Sequence, residues 1–192
     1  MVQTAQLRRI EVVENEAQRV FNLQREAYLR KPYPTLEERK QRLLAVERIL
    51  LDNTEAIVDA IREDFGHRCA EESKILEIFP CIDAIRDTRK RLQKWMKPQR
   101  RHVSVLFATG KNRLLPQPKG VVGIVSPWNY PLFLAIGPLT SALAAGNRAM
   151  IKMAANSQHL ARLLADKFAE AFDEDTVAIL PGVRGSDFTT LP

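Results

Sequence analysis

Residues 118–131 read Pro-Lys-Gly-Val-Val-Gly-Ile-Val-Ser-Pro-Trp-Asn-Tyr-Pro, residues 132–145 carry no charge, and Gly146-Asn147-Arg148-Ala149-Met150-Ile151-Lys152 follows. Gly120 to Val125 is a short β-branched run closed by Ser126-Pro127, the pattern of a fully buried strand. Pro131 opens an apolar segment of helical length, because proline is tolerated in a first helical turn where its missing N–H is not needed. Gly146-Asn147 stops that helix, and Ala149 to Ile151 resumes a buried strand. Strand, helix and strand in this span make a βαβ unit, so the two strands are expected to be parallel neighbours. Asn156 reads as the N-cap of a further helix through Phe172, with Leu160, Leu163, Leu164 and Phe168 inward. Asp175 to Leu180 supplies a third strand ended by Pro181-Gly182. The order β-α-β-α-β is the first half of a doubly wound parallel sheet, and the fold class is α/β.

Working outward, Gly120 to Asn147 runs 28 residues without a charged side chain, longer than the roughly 20 a spanning helix needs. Pro127, Pro131 and Pro138 interrupt it, with Asn129 between the first two, which favours strand-turn-helix over a membrane span. The net charge is +6. Because residues 118–192 hold six basic and six acidic side chains, the whole excess lies in residues 1–117. A nucleic-acid partner would have to use that part. Lys90 to His102 holds seven Lys, Arg or His residues; it reads as a solvated helix end, and nucleic-acid binding is not expected.

Residues 1–15 have no clear period and are expected to be mobile. Glu16 to Arg30 is rich in helix formers and ends before Lys31-Pro32-Tyr33-Pro34. Thr35 and Glu38 form a capping box for a helix with Leu36, Leu43, Leu44, Ile49 and Leu50 on its apolar face. Asn53-Thr54 separates it from a short helix over Glu55 to Asp64, ended by Gly66. Cys69 to Lys97 is the longest helical stretch, with Ile75, Ile78, Phe79, Ile82, Ile85 and Leu92 as its stripe and a kink at Pro80. Val103 to Phe107, the turn at Thr109-Gly110-Lys111-Asn112, and Arg113 to Leu115 suggest a β-hairpin. Cys69 and Cys81 lie about 18 Å apart on a continuous helix, beyond the ~7 Å reach of a disulfide. No apolar leader with a small-residue cleavage site is visible, so a cytoplasmic location is expected. His67, His102 and His159 have no metal-ligand spacing, and no metal is expected.

Pro127-Trp128-Asn129-Tyr130-Pro131, followed by Ala144-Ala145-Gly146-Asn147 and Lys152, resembles the N-terminal half of the cofactor domain of aldehyde dehydrogenases. The variant Arg148-Ala149-Met150-Ile151-Lys152-Met153 is most similar to the coniferyl (hydroxycinnamyl) aldehyde dehydrogenase branch. The resemblance implies a helical region over residues 1–101, a hairpin over 102–117 that is either an oligomerisation element or an ordinary edge hairpin, and a partial Rossmann-like NAD(P)-binding domain over 118–192. It implies oxidation of an aldehyde, coniferyl aldehyde among the candidates, with NAD or NADP as cofactor, in a homo-oligomer.

By the same resemblance, Asn129 matches the oxyanion donor. Ser126, Pro127 and Trp128 match residues lining the nicotinamide ribose side, and Lys152 the lysine that contacts the adenosine ribose. Three residues on, where relatives usually carry a glutamate, stands Ala155. The family nucleophile follows a Gly-Gln pair, whereas Cys69 follows His67-Arg68 and Cys81 follows Phe79-Pro80. Both read as structural thiols, and this stretch alone is expected to be inactive. Asn129 also reads as a helix N-cap before Pro131 that would use its amide oxygen. Gly120-x-x-Gly123 is a weak phosphate signal, since no Gly-x-Gly-x-x-Gly follows the strand. A second reading, a non-catalytic interaction or partial nucleotide-binding module with the same fold, stays open.

Overall fold

The structure, a computed structural model, describes residues 15–191. The expectation of a mobile N-terminus falls outside that range except at Asn15, whose side chain accepts from Gln18 N at 2.8 Å. This caps α1 (Glu16–Arg30). Thr35 and Glu38 form the expected capping box at the start of α2 (Leu36–Asp52). Gly66, at φ 79°, ends α3 (Thr54–Phe65). A long helical stretch then comprises α4 (Ala70–Ser73), a π-helical turn over Lys74–Ile78, and α5 (Phe79–Trp95).

The π turn changes the helical phase just before Pro80, and with it the buried face. Glu77, Ile78, Cys81, Ile82, Ile85 and Leu92 face inward, whereas Ile75 and Phe79 are 62% and 65% exposed. The uniform stripe expected from 3.6-residue spacing fails at these two positions because the spacing is not 3.6 there.

The hairpin exists with a different first strand. β1 (Gln99–Arg101) pairs antiparallel with β2 (Asn112–Leu114), in the register Arg101 to Asn112. Val105–Phe107 forms a 3₁₀ turn in the connection instead of the expected strand. Its apolar side chains meet no core that would reward an extended pairing; all three are exposed.

β3 (Val121–Val125), α6 (Pro131–Ala145), β4 (Arg148–Lys152), α7 (Gln158–Ala169) and β5 (Val177–Ile179) complete the βαβαβ run. The sheet order is β3-β4-β5, parallel throughout. The α/β class and the first half of a doubly wound sheet are therefore as the sequence implied.

β3 is not fully buried: Ile124 is, but Val125 is 56% exposed. It lies at an edge of the sheet among the described residues, so one side and part of one face lack neighbours. Pro138 does not break α6 but sits inside it. The preceding Gly137 has no Cβ to clash with the proline ring.

Leu132, Ile136, Leu160 and Leu164 from α6 and α7 pack with Ala149, Ile151, Val177 and Ile179 on one sheet face, and α2, α3 and α5 build outward from there. The other face is covered by α1 and by α8 (Gly185–Thr189), a helix the sequence did not suggest; Ala17, Val20 and Phe188 bury against Met150 and Ala178. Gln24, fully buried, donates to Ala149 O and Glu174 O at 3.0 Å each and ties α1 to the sheet.

Candidate functional site

Parallel pairing sets Val125 opposite Lys152. One residue on, Ser126 N donates to Lys152 O at 3.0 Å, so the ladder extends past β3 before the chain turns away. Ser126 through Asn129 and Lys152 through Asn156 thus leave the sheet at its carboxyl end, the side on which open α/β sheets hold ligands.

Ser126 is buried, and its hydroxyl donates to Pro131 O at 3.0 Å, closing the loop between β3 and α6. Pro127, Trp128 and Asn129 are exposed. The Trp128 ring lies 6.5 Å from that of Phe65. Lys152 is half-buried and its Nζ donates to Met153 O at 3.0 Å. Ala155 and Asn156 are exposed in the turn before α7. All six candidate positions therefore stand at one end of the sheet. Gly120 and Gly123, by contrast, serve the strand: Gly120 has φ 124°, and a Cβ on Gly123 would come 3.1 Å from Phe188.

Neither asparagine caps its helix. The N-cap of α6 is Tyr130 and that of α7 is Ser157, each without a side-chain cap bond. Both helices are capped from the helical layer instead. Glu77 Oε2 accepts from Leu132 N at 2.8 Å and from Phe133 N at 3.3 Å. Asp64 accepts from His159 N at 2.9 Å and Leu160 N at 3.0 Å. The leading amides of α6 and α7 are thus engaged by carboxylates that would repel a phosphate, in contrast to ordinary dinucleotide folds.

Glu77 is fully buried, and burial pushes its carboxyl above the ordinary range, opposed by the two backbone N–H groups and by Arg68. Arg68 Nη1 donates to Glu77 Oε1 at 2.9 Å, and Nη2 donates to Asn129 O at 2.8 Å. The guanidinium lies 3.9 Å from the Phe65 ring centroid and 4.9 Å from that of Tyr130. Among the described residues the Asn129 carboxamide makes no hydrogen bond. Arg68 and Glu77 are absent from the sequence-derived candidates. Their one signal is a glutamate set inside the apolar run Ile75-Leu76-Glu77-Ile78-Phe79.

Both cysteines are free. Cys81 is buried; burial first and the Glu77 charge second push its thiol up to about 12. The Cys69 sulfur accepts from Glu72 N at 3.4 Å. Among the described residues no group of His, Cys, Asp and Glu is placed to hold a metal ion, and no helix is long and apolar enough to cross a membrane.

Asn129, on the loop after β3, and Lys152, at the end of β4, thus stand at the carboxyl end of one parallel sheet, and a comparison with known sequences decides the family. Residues 7–190 match the aldehyde dehydrogenase family model. The chain belongs to the aldehyde dehydrogenase family. It is 46% identical over 180 residues, 93% of its length, to a probable coniferyl aldehyde dehydrogenase of Pseudomonas aeruginosa. It is 39% identical over 158 residues to the coniferyl aldehyde dehydrogenase of Pseudomonas sp. strain HR199. Among solved structures, substrate-bound AldH of Staphylococcus aureus superposes with a TM-score of 0.84 at 26% identity, over 91% of this chain. This aldehyde dehydrogenase chain spans 38% of the first relative's length, 32% of the second's and 38% of the AldH chain.

Proposed function

We propose that these residues form the N-terminal part of a cytoplasmic NAD(P)-dependent aldehyde dehydrogenase that oxidises an aldehyde of the hydroxycinnamyl class to the acid. The observation that carries the reading is the Asn129 carboxamide. It is exposed, without a hydrogen bond among the described residues, and stands on the loop that follows β3 at the carboxyl end of the sheet. Its N–H groups are available to a carbonyl oxygen that gains negative charge when a nucleophile attacks.

The cofactor, when bound, accepts the hydride. Pro127 and Trp128 would line its nicotinamide side, and Lys152 would meet its adenosine ribose. Ser126, buried with its hydroxyl on Pro131 O, would hold the loop that carries them. These positions at one end of the sheet support a dinucleotide whose two ends they would meet, and the capped helix starts would leave its pyrophosphate to other contacts.

Neither cysteine here serves as nucleophile. A thiol held as high as that of Cys81 is not a thiolate at neutral pH. The nucleophile and the hydrolytic base come from sequence beyond these 192 residues, so the 192-residue chain alone forms no NADH or NADPH from aldehyde. The hairpin, with its exposed Val105, Leu106 and Phe107, supports a homo-oligomer.

In the complete polypeptide carrying these residues, Asn129→Ala is expected to lower kcat by about 10²–10³, with the cofactor KM little changed. Undiminished kcat in that variant, measured by reduced-cofactor formation with a hydroxycinnamaldehyde, would overturn the reading.

A further inference from the structure

We infer that Arg68 and Glu77 are positioning residues for Asn129: together they fix the backbone from its own carbonyl to the start of α6 and leave its carboxamide free to donate. The inference rests on the reading of Asn129 as the oxyanion donor.

The need arises from an ordinary rule of helix starts. The first amides of a helix lack intrahelical acceptors, and the common local solution is an Asn, Asp, Ser or Thr side chain at the cap. An asparagine two residues before Pro131 could be drawn into that role, turning its carboxamide back toward the helix. Here the first amides of α6 are satisfied from elsewhere. Glu77 reaches across 55 positions of sequence to Leu132 N at 2.8 Å and, more weakly, to Phe133 N at 3.3 Å. With those donors taken, the Asn129 side chain has no local acceptor role to fill.

Arg68 completes the arrangement. One guanidinium nitrogen holds Glu77 Oε1 at 2.9 Å while the other holds the Asn129 main-chain carbonyl at 2.8 Å. The planar fork therefore sets the distance between the capping carboxylate and the peptide that carries the donor. Its own freedom is small: the Arg68 side chain is 10% exposed, lies over the Phe65 and Tyr130 rings, and has Glu72 at 3.5 Å. On the near side, the Ser126 hydroxyl on Pro131 O closes the loop.

Position matters because oxyanion stabilisation depends on donor geometry, and a misplacement of about 1 Å can cost on the order of 100-fold in rate. A lysine at position 68 would keep the charge without the fork. A glutamine at 77 would keep one acceptor oxygen without the charge that holds Arg68.

The test is a double-mutant cycle on kcat in the complete polypeptide, with a hydroxycinnamaldehyde and NAD+ or NADP+. Glu77→Gln is expected to lower kcat about tenfold or more, with the cofactor KM within about twofold. In an Asn129→Ala background the same substitution is expected to change kcat by less than about twofold, because the group it orients is gone. Arg68→Lys is read in the same way and serves if Glu77→Gln does not fold. Asp64→Asn, which loosens the cap of α7 and touches nothing near Asn129, is expected to lower the Tm while sparing kcat. If Glu77→Gln and Arg68→Lys cost nothing in kcat, or cost equally with and without Asn129, the positioning role is wrong while the reading of Asn129 stands. If Asn129→Ala itself leaves kcat intact, that reading falls and this inference with it.

Discussion

Under the proposed function, two side chains at the mouth of the sheet are expected to bear on cofactor choice. Lys152 ends β4, and its Nζ rests on the carbonyl of Met153. Ala155, three residues on, is exposed and carries no group that could accept from ribose hydroxyls or repel a 2′-phosphate. A carboxylate there would do both, attracting NAD+ and excluding NADP+. Charges a few ångströms apart near a protein surface interact by about 4 kcal/mol at an effective dielectric near 20, more than the roughly 1.4 kcal/mol that a tenfold preference needs. In the complete polypeptide, Ala155→Glu is expected to shift the kcat/KM ratio toward NAD+ by about tenfold or more. Asn156, exposed beside it, offers the competing route of an uncharged contact to the ribose. Steady-state kinetics with both cofactors decide the matter: an unchanged ratio would mean that this turn does not meet the ribose.

At the scale of elements, what the sequence discloses depends on how far away each element's partners lie. The capping box at Thr35 and the glycine stops at Gly66 and Gly146 are local, and a window of a few residues contains both partners. The two strands flanking α6 were equally legible, because apolar runs between prolines and glycines fix their ends. Asp64 and Glu77 were not, since the helix-start amides they cap lie 95 and 55 positions away. The stripe through Ile75 and Phe79 failed for a different reason, a π turn that no composition rule signals. The Glu77 carboxylate became visible only when the fold brought it to α6, and with it the geometry around Asn129.

Both kinds of cap yield measurable expectations. Asp64→Asn leaves the amides of His159 and Leu160 with a weaker acceptor, and thermal unfolding is expected to report a loss of about 1 kcal/mol. No change in Tm would show that the cap is dispensable. At α2, Lys31 first, and then the Thr35 backbone and hydroxyl, hold the Glu38 carboxyl down at about 2. A carboxyl lowered on folding adds stability that is present above its ordinary value of 4.5 and is lost as the pH falls toward 2. Because the Glu38 side chain is still 37% exposed, solvent screening keeps the gain below about 1 kcal/mol. Glu38→Gln is therefore expected to lower the Tm slightly at pH 7 and to leave it unchanged near pH 2. An equal loss at both pH values would assign the effect to packing instead of charge.

For the whole molecule, the question is which apolar surfaces the 192-residue chain keeps covered. The sheet face turned away from α6 and α7 is covered by α1 and α8, fastened by Gln24 and by Phe188 against Gly123. Other apolar surfaces stay exposed among the described residues, three of them of particular interest for assembly. Val105, Leu106 and Phe107 project from the hairpin at 85%, 84% and 69% exposure. Ile75, Leu76 and Phe79 form an exposed stripe ahead of α5. β5 pairs on one side only and borders a cleft lined by Phe168, Phe172 and Val177. Unpaired strand edges and contiguous apolar patches are routes to association. The chain is expected to self-associate, with the hairpin turn as the contact most open to manipulation because its side chains hold nothing inside the fold. Size-exclusion chromatography with light scattering is expected to show species above the 21.8 kDa of one chain. Leu106→Lys combined with Phe107→Lys is expected to reduce the associated fraction without changing the Tm. A dispersed monomer for the unaltered chain would show that these surfaces do not drive assembly. Association unchanged by the double substitution would move the contact to the stripe before α5 or to the edge of β5.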